Sequence, residues 1–400
     1  MLPSVRAQKS ARSVDVQADV PQIVVQPWLT RHPRMHDSDP RAQQQATLQS
    51  LLQQQRNPYS GQAWAEHCQA LVIDAHDGRL SAAIQLQLGY PGAAQARLQL
   101  GEQLQQAGFA LPLSVSVAQK IRSHRVQGEL KPHAQIRNII AVGSGKGGVG
   151  KSTVSVNLAL ALAALGARVG LLDADIYGPS QPTMLALRGR PEITADKKMV
   201  PHQAHGLQVN SIGFLVDTDE PMIWRGPMVS QALQQLLNET RWEQLDYLII
   251  DLPPGTGDIQ LTLLQKVPVA AAVVVTTPQE VATLDAGKAV QMFAKLQVPT
   301  LGLVENMSQH VCSACGHVES IFGSAGGQRL ADRYDLPLLA QLPLDSCYRE
   351  HVDAGLPTVA AAPQSSQAQV FMELALQVSA RLAQQPLSKS VPELKVKLSG

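Results

Sequence analysis

The chain is poor in cysteine, with four among 400 residues: Cys68, Cys312, Cys315 and Cys347. A secreted disulfide scaffold carries a far denser set, so a reducing compartment is expected, and the cytoplasm is the expected location. The chain also lacks an excess of charge of either sign. Lys and Arg number 33 against 32 Asp and Glu, a net charge of +1. Proteins held on nucleic acid by charge are usually more basic, so no nucleic-acid partner is expected. No run reaches the ~18 continuous apolar residues of a membrane helix, so no membrane partner is expected either. The stretch from Val267 to Val275 is interrupted by Pro268 and has the length of a strand. Apolar residues make up 44% of the chain and charged residues 16%. That suffices for a sizeable core, and the length suits two domains or three.

Residues 1–60 show no sustained period and read as a weakly structured, Gln-rich arm. Within it, Leu48, Leu51 and Leu52 stand at helical spacing among glutamines, which predicts a short amphipathic helix over 42–56. Arg6, Lys9 and Arg12 precede the first acid, Asp15, and faintly resemble a transit peptide. A plain tail explains them more simply, and a start at Met35 is a third reading. Residues 61–128 read as a small α+β domain of order β-β-α-β. Ala70 to Ala75 is a strand, Asp77-Gly78 a hairpin turn, and Ile84, Leu86 and Leu88 alternate as a second strand. A helix follows over 93–107, then Leu113, Val115 and Val117 alternate again. Residues 129–135, with Lys131-Pro132-His133, read as a linker, and 385–400 as a C-terminal tail.

Between 136 and 384 the pattern changes. Short apolar runs at 136–142, 169–172, 247–250, 269–275, 300–304 and 338–342 alternate with helical segments. Such alternation predicts an α/β fold, a doubly wound and mainly parallel sheet. After the first run comes Gly145-Lys146-Gly147-Gly148-Val149-Gly150-Lys151-Ser152, followed by Thr153. This is the P-loop pattern. Its glycines let backbone N–H groups converge on phosphate oxygens, and the next helix points its positive end at the same anion. Lys151 adds a charge to the β/γ phosphates, and the Ser152 hydroxyl suits a magnesium ion. Lys146 is a second lysine in the loop, which an ordinary P-loop does not need; by itself it reads as a solvated charge. Asp251 ends a hydrophobic strand, where a carboxylate holds magnesium through its water shell. Asp173 and Asp175 end another strand; one suits the attacking water and the other the metal. Pro253-Pro254-Gly255-Thr256-Gly257-Asp258 reads as a switch loop.

Cys312-Ser313-Ala314-Cys315 brings two thiols to one turn. Alone it is ambiguous among zinc, an iron–sulfur cluster, a redox disulfide and an incidental pair. The P-loop, Asp173-Ala174-Asp175-Ile176-Tyr177-Gly178-Pro179-Ser180, Asp251 to Asp258 and the Cys312–Cys315 pair together resemble the Mrp/ApbC family of iron–sulfur cluster carrier ATPases. The resemblance spans roughly residues 136–383.

The resemblance implies a deviant Walker A loop whose Lys146 reaches the nucleotide of a partner subunit, with ATP-dependent dimerisation like that of MinD and nitrogenase iron protein. It implies that Lys146, Lys151, Asp173, Asp175 and Asp251 carry hydrolysis, and that Asn306, in a Glu-Asn-Met stretch, reads the adenine edge. Cys312 and Cys315 would hold a 4Fe–4S cluster bridging two subunits. Recipient apoproteins and cluster-assembly donors are the implied partners of the homodimer, with ATP and Mg²⁺ as cofactors. With Cys68 and Cys347 isolated, one chain offers one thiol pair, so a four-thiolate cluster most simply requires a second copy. Two alternatives are a MinD/ParA-like positioning ATPase and a nitrogenase-reductase-like electron donor.

Overall fold

A computed structural model describes residues 39–215, 226–312 and 314–388. The transit-like residues, the start at Met35 and the C-terminal tail beyond Ser388 lie outside them. In the small domain, β1 (Cys68–His76) and β2 (Arg79–Leu88) form an antiparallel hairpin. Its turn residues Asp77 and Gly78 have φ of 49° and 73°, the left-handed pair that a type I′ turn requires. The helix Ala93–Gln106 buries Ala96, Leu100 and Leu104, one stripe at helical spacing. It returns the chain to β3 (Leu113–Gln119), which runs parallel to β2. This is the β-β-α-β order expected.

The weakly structured arm does not extend to residue 60. A helix spans Pro40–Gln54, and its Leu48 and Leu52 are buried in the same apolar core as Trp64, Leu88 and Tyr90. The helical spacing was visible in the sequence, but the surface that receives those leucines was not.

The large sheet is built from β4 (Ile136–Ser144), β5 (Val169–Asp173), β6 (His202–Ala204), β7 (Leu207–Ser211), β8 (Leu245–Asp251), β9 (Ala271–Thr276) and β10 (Thr300–Glu305). After a separate small hairpin of β11 (His310–Val311) and β12 (Val318–Glu319), β13 (Leu338–Gln341) completes it. The strand order is β13-β10-β9-β4-β8-β5-β7-β6. All pairs are parallel except β6 with β7. β6 and β7 were not expected. They form an edge hairpin turning at His205 and Gly206, again with positive φ. The fold is otherwise the doubly wound α/β sheet expected, with β4 at its centre. Ligands bind such sheets beyond the carboxyl ends of the strands, where neighbouring connections diverge.

The helix Lys151–Ala164 follows β4 and buries ten of its 14 residues. Its outer side packs on the helix Ser366–Ala383, which in turn meets the small domain. A Cβ on Gly89 would lie 3.2 Å from that of Ala383, and one on Gly92 only 2.4 Å from Leu376 Cδ2. From Arg41 onward the chain is therefore one compact unit. The approach to the expected linker is anchored too. His124 and Gln127 are buried, and Gln127 Nε2 donates to the carbonyls of Leu264 and Val267 at 2.7 and 2.6 Å. Residues 385–388 are not a loose tail. Pro386 O accepts from Arg125 N, and Ser388 N donates to Ser123 O.

Candidate functional site

The glycine-rich loop turns between β4 and the helix Lys151–Ala164, as its sequence requires. Two of its glycines are sterically necessary. A Cβ on Gly145 would lie 2.1 Å from the backbone carbon of Asp285, so only glycine lets the helix Glu280–Lys295 approach this closely. Gly150 has φ of 80°, and a Cβ there would lie 2.1 Å from Asn306 Nδ2. Gly147 and Gly148 are exposed at the mouth of the loop, while Val149 is buried. Lys146 is half-exposed, and among the described residues its ammonium has no hydrogen-bond or ion-pair partner. Ser152 and Thr153 are half-buried at the first turn of the helix.

Lys151 is 6% exposed, and a buried ammonium needs a counter-charge. Its Nζ lies 2.6 Å from Asp251 Oδ1, and Asp251 is fully buried. The same oxygen accepts from Ser155 Oγ at 2.9 Å. The other, Oδ2, accepts from Gln181 Nε2 at 2.9 Å. Asp173 lies at the neighbouring strand end. It accepts from the backbone N–H groups of Asp175 and Gln181 at 3.2 and 3.1 Å, and from Ser211 Oγ at 3.1 Å. Burial, reinforced by the charge of Asp251, pushes the Asp173 carboxyl up to about 7. Burial also raises Asp175, whose Oδ1 is buried without a partner. Ser180 Oγ and Gln181 Oε1 are likewise buried and unpaired. Each such orphan costs about 1–3 kcal/mol unless a ligand or water satisfies it. Of these groups, the Ser152 hydroxyl and the Asp251 carboxylate are oxygen donors of the kind that Mg²⁺ takes, one or two from the protein with phosphate oxygens and waters completing its shell.

The sheet thus brings Lys151, Ser152, Asp173, Asp175 and Asp251 together. Asn306, at the end of β10, joins them from the other flank. Its Nδ2 donates to Val149 O at 2.9 Å, and its Oδ1 accepts from Met307 N. It also lines a cavity of about 230 Å³ with Gly150, Thr153, Leu344, Tyr348 and Phe371. The cavity is mostly apolar and borders the phosphate loop at Gly150 and Thr153.

The cysteine pair sits on the β11–β12 hairpin, which follows β10 directly. Gly316 N donates to Cys312 O and Cys312 N to His317 O, closing the turn. Cys315 is exposed and Cys312 partly so. Backbone N–H groups of Cys315 and Ala314 face the Cys312 sulfur and lower its pKa, favouring the thiolate. The hairpin is tied back to the cavity wall. Leu344 N donates to Gln309 O at 2.7 Å, and His310 Nδ1 meets Leu344 O at 3.0 Å. Cys347 lies on the helix Ser346–Asp353, where burial and then the nearby Asp345 push its thiol up to about 12. Among the described residues no group of three His, Cys, Asp or Glu side chains is placed to hold a metal.

Three functional neighbours were missed in the sequence. Ser155 is one turn beyond Lys151 and could have been found from that spacing. Gln181 and Ser211 had no signal, because both reach the site through the pairing of distant strands.

The family model described as the NUBPL iron-transfer P-loop NTPase, of the ParA group, matches residues 135–379. The iron-sulfur cluster carrier protein of Haemophilus influenzae is 49% identical over 343 residues, covering 85% of this chain and 93% of that protein. The iron-sulfur cluster transfer protein NUBPL of Mus musculus is 48% identical over 258 residues, covering 64% of this chain and 81% of that protein. A solved nucleotide-binding protein of Archaeoglobus fulgidus, in complex with ADP, is 36% identical with a TM-score of 0.52, covering 59% of this chain and 93% of its own. On a family match that runs over more than half of its length and a relative 49% identical over 85% of it, the chain belongs to the NUBPL iron-transfer family of P-loop NTPases.

Proposed function

We propose that the protein hydrolyses ATP and carries an iron–sulfur cluster between two copies of itself, from an assembly donor to recipient apoproteins. The observation that carries this reading is the connection between the two sites. Asn306 is bonded to the phosphate loop through Val149, and the cysteine hairpin begins four residues later, at His310. A change at the nucleotide therefore has a short, packed route to the thiols. Cys312 and Cys315 are accessible, and the lowered Cys312 thiol suits a cluster ligand. One chain supplies one pair, so a 4Fe–4S cargo takes its four thiolates from two chains.

The residues around the loop support a partner copy. Val281 and Leu284 are 65% and 52% exposed and precede Asp285, whose backbone abuts Gly145, on the same helix. Tyr177, in the loop after Asp175, is 65% exposed. The helix that carries Val281 and Leu284 thus abuts the loop residue next to Lys146, and the segment that carries Tyr177 follows Asp175. In this reading Lys146 reaches the nucleotide of the second copy.

At the phosphates, Lys151 exchanges Asp251 for the β/γ oxygens. Ser152 and Asp251 would hold Mg²⁺, which would neutralise charge on the phosphates. Ser155 and Gln181 keep Asp251 oriented after Lys151 leaves. Both oxygens of Asp173 accept backbone N–H groups, whereas Asp175 keeps a free one, so Asp175 orients the attacking water. Asn306 and the adjoining cavity receive the adenine.

Anaerobic reconstitution with iron and sulfide, read by visible spectrum and metal analysis, tests the cargo. One cluster per two chains is expected, lost in the Cys312→Ala, Cys315→Ala double variant. Stoichiometric cluster in that variant, or a colourless zinc protein, overturns the assignment.

A further inference from the structure

Gln181 directly follows the stretch Asp173 to Ser180, and no motif asks for it. Yet it touches all three parts of the phosphate site. Its backbone N–H donates to Asp173 Oδ2 at 3.1 Å. Its side-chain Nε2 donates to Asp251 Oδ2 at 2.9 Å and to Ser152 O at 3.0 Å. One residue thus joins the ends of β5 and β8 to the first turn of the phosphate-binding helix. It is fully buried, and its remaining polar atom, Oε1, has no partner.

The two ends of this amide serve different purposes. The nitrogen end fixes Asp251 from the side opposite Lys151. When Lys151 turns to a phosphate, Oδ1 of Asp251 loses its cation while Oδ2 stays held. The carboxylate then cannot swing away. The oxygen end is an acceptor only, and no donor among the described residues reaches it. Asp175 Oδ1 and Ser180 Oγ, on the same loop, are buried and unsatisfied too. An amide carbonyl and a carboxylate oxygen ask for donors, not for phosphate oxygens. Magnesium keeps several waters when it binds, and those waters are the donors that this chemistry lacks.

We propose that Gln181 is a positioning residue for the metal, holding Asp251 in place and accepting a hydrogen bond from a metal-bound water. This rests on the reading of the loop as a site for ATP with Mg²⁺. The residue acts on the metal through Asp251 and through water, and it does not touch the reacting phosphorus.

Nucleotide binding by calorimetry separates the two layers. ADP is titrated into the full chain in EDTA, then at rising Mg²⁺, for wild type, Gln181→Leu and Gln181→Asn. Leu removes both amide ends at similar volume. Asn keeps the amide but shortens its reach by one methylene. With ADP binding in EDTA as each variant's own baseline, half-saturating Mg²⁺ should rise by about tenfold or more in both, as for other lost outer-shell partners. ATP hydrolysis should recover at high Mg²⁺, splitting the metal requirement from kcat. Circular dichroism establishes that each variant is folded. If the Leu variant does not fold, the Asn variant decides. A folded variant with the wild-type Mg²⁺ response overturns the inference, as does equal loss of ADP binding with and without Mg²⁺. Wild type that binds no nucleotide overturns the underlying reading instead.

Discussion

The ion pair between Lys151 and Asp251 is the most exacting place to test the geometry. The two groups meet at 2.6 Å with side chains 6% and 0% exposed. Lys151→Met keeps the length and apolar stem of the side chain and removes its charge. Asp251 is then an anion in the interior with two neutral donors, Ser155 and Gln181, and no cation bonded to it. Breaking a buried pair from one side costs about 3–5 kcal/mol. The two surviving hydrogen bonds favour the lower end, about 3 kcal/mol. Replacing both partners, Lys151→Met with Asp251→Asn, removes the orphan charge and should return most of that loss. The coupling between the two sites is then on the order of 2–3 kcal/mol, within the range for contacting residues. The assay is urea denaturation in EDTA without nucleotide, followed by tryptophan fluorescence, on wild type, both single variants and the double variant. If Lys151→Met alone costs less than about 1 kcal/mol, the pair is not held as described. The inference that Lys151 must exchange partners when nucleotide arrives would fall with it.

The same exchange predicts that Asp251→Asn binds ADP in EDTA several-fold more tightly than wild type while losing Mg²⁺-dependent hydrolysis, both measurable by titration and phosphate release. Because the Asp173 carboxyl is raised to about 7 by burial, the folded state holds a proton that the unfolded chain releases near pH 4. Its contribution to stability is present at low pH and lost as pH rises through 7. Denaturation midpoints from pH 5 to 8 should therefore fall less steeply in Asp173→Asn than in wild type, and parallel slopes would refute the assignment. Gly145→Ala must displace the backbone at Asp285, so a loss of about 1–3 kcal/mol and of ATPase activity is expected by denaturation and phosphate release. Unchanged activity there would mean that the helix Glu280–Lys295 does not abut the loop.

Motifs that lie within one stretch of chain were readable before any coordinates. The P-loop, the Asp173–Asp175 pair and Asp251 each follow a strand, and the structure gathers them because parallel strands end on one edge of the sheet. The hairpin turn at Asp77–Gly78 was equally plain. The similar turn at His205–Gly206 was not, because β6 is only three residues long and polar at His202 and Gln203. Contacts between distant segments left no local trace. Asn306 reaches Val149, 157 positions away, and Gln181 reaches Asp251 across 70. Leu48 and Leu52 show the same limit on a larger scale. Their spacing specifies a helix, but their burial depends on Trp64, Leu88 and Tyr90, which belong to later elements.

The helix Lys151–Ala164 is walled in, by the sheet on one side and by Ser366–Ala383 on the other, and that second helix is itself pinned by the small domain. Moving it would disturb the packing of three layers at once, and close-packed cores resist such shifts. It therefore serves as a fixed anvil. Under the proposed function, a displacement driven by ATP would fall to the parts around it, the loops after Asp173 and Asp251 and the cysteine hairpin beyond Asn306. The small domain, far from being a swinging arm, is ballast that keeps the anvil still.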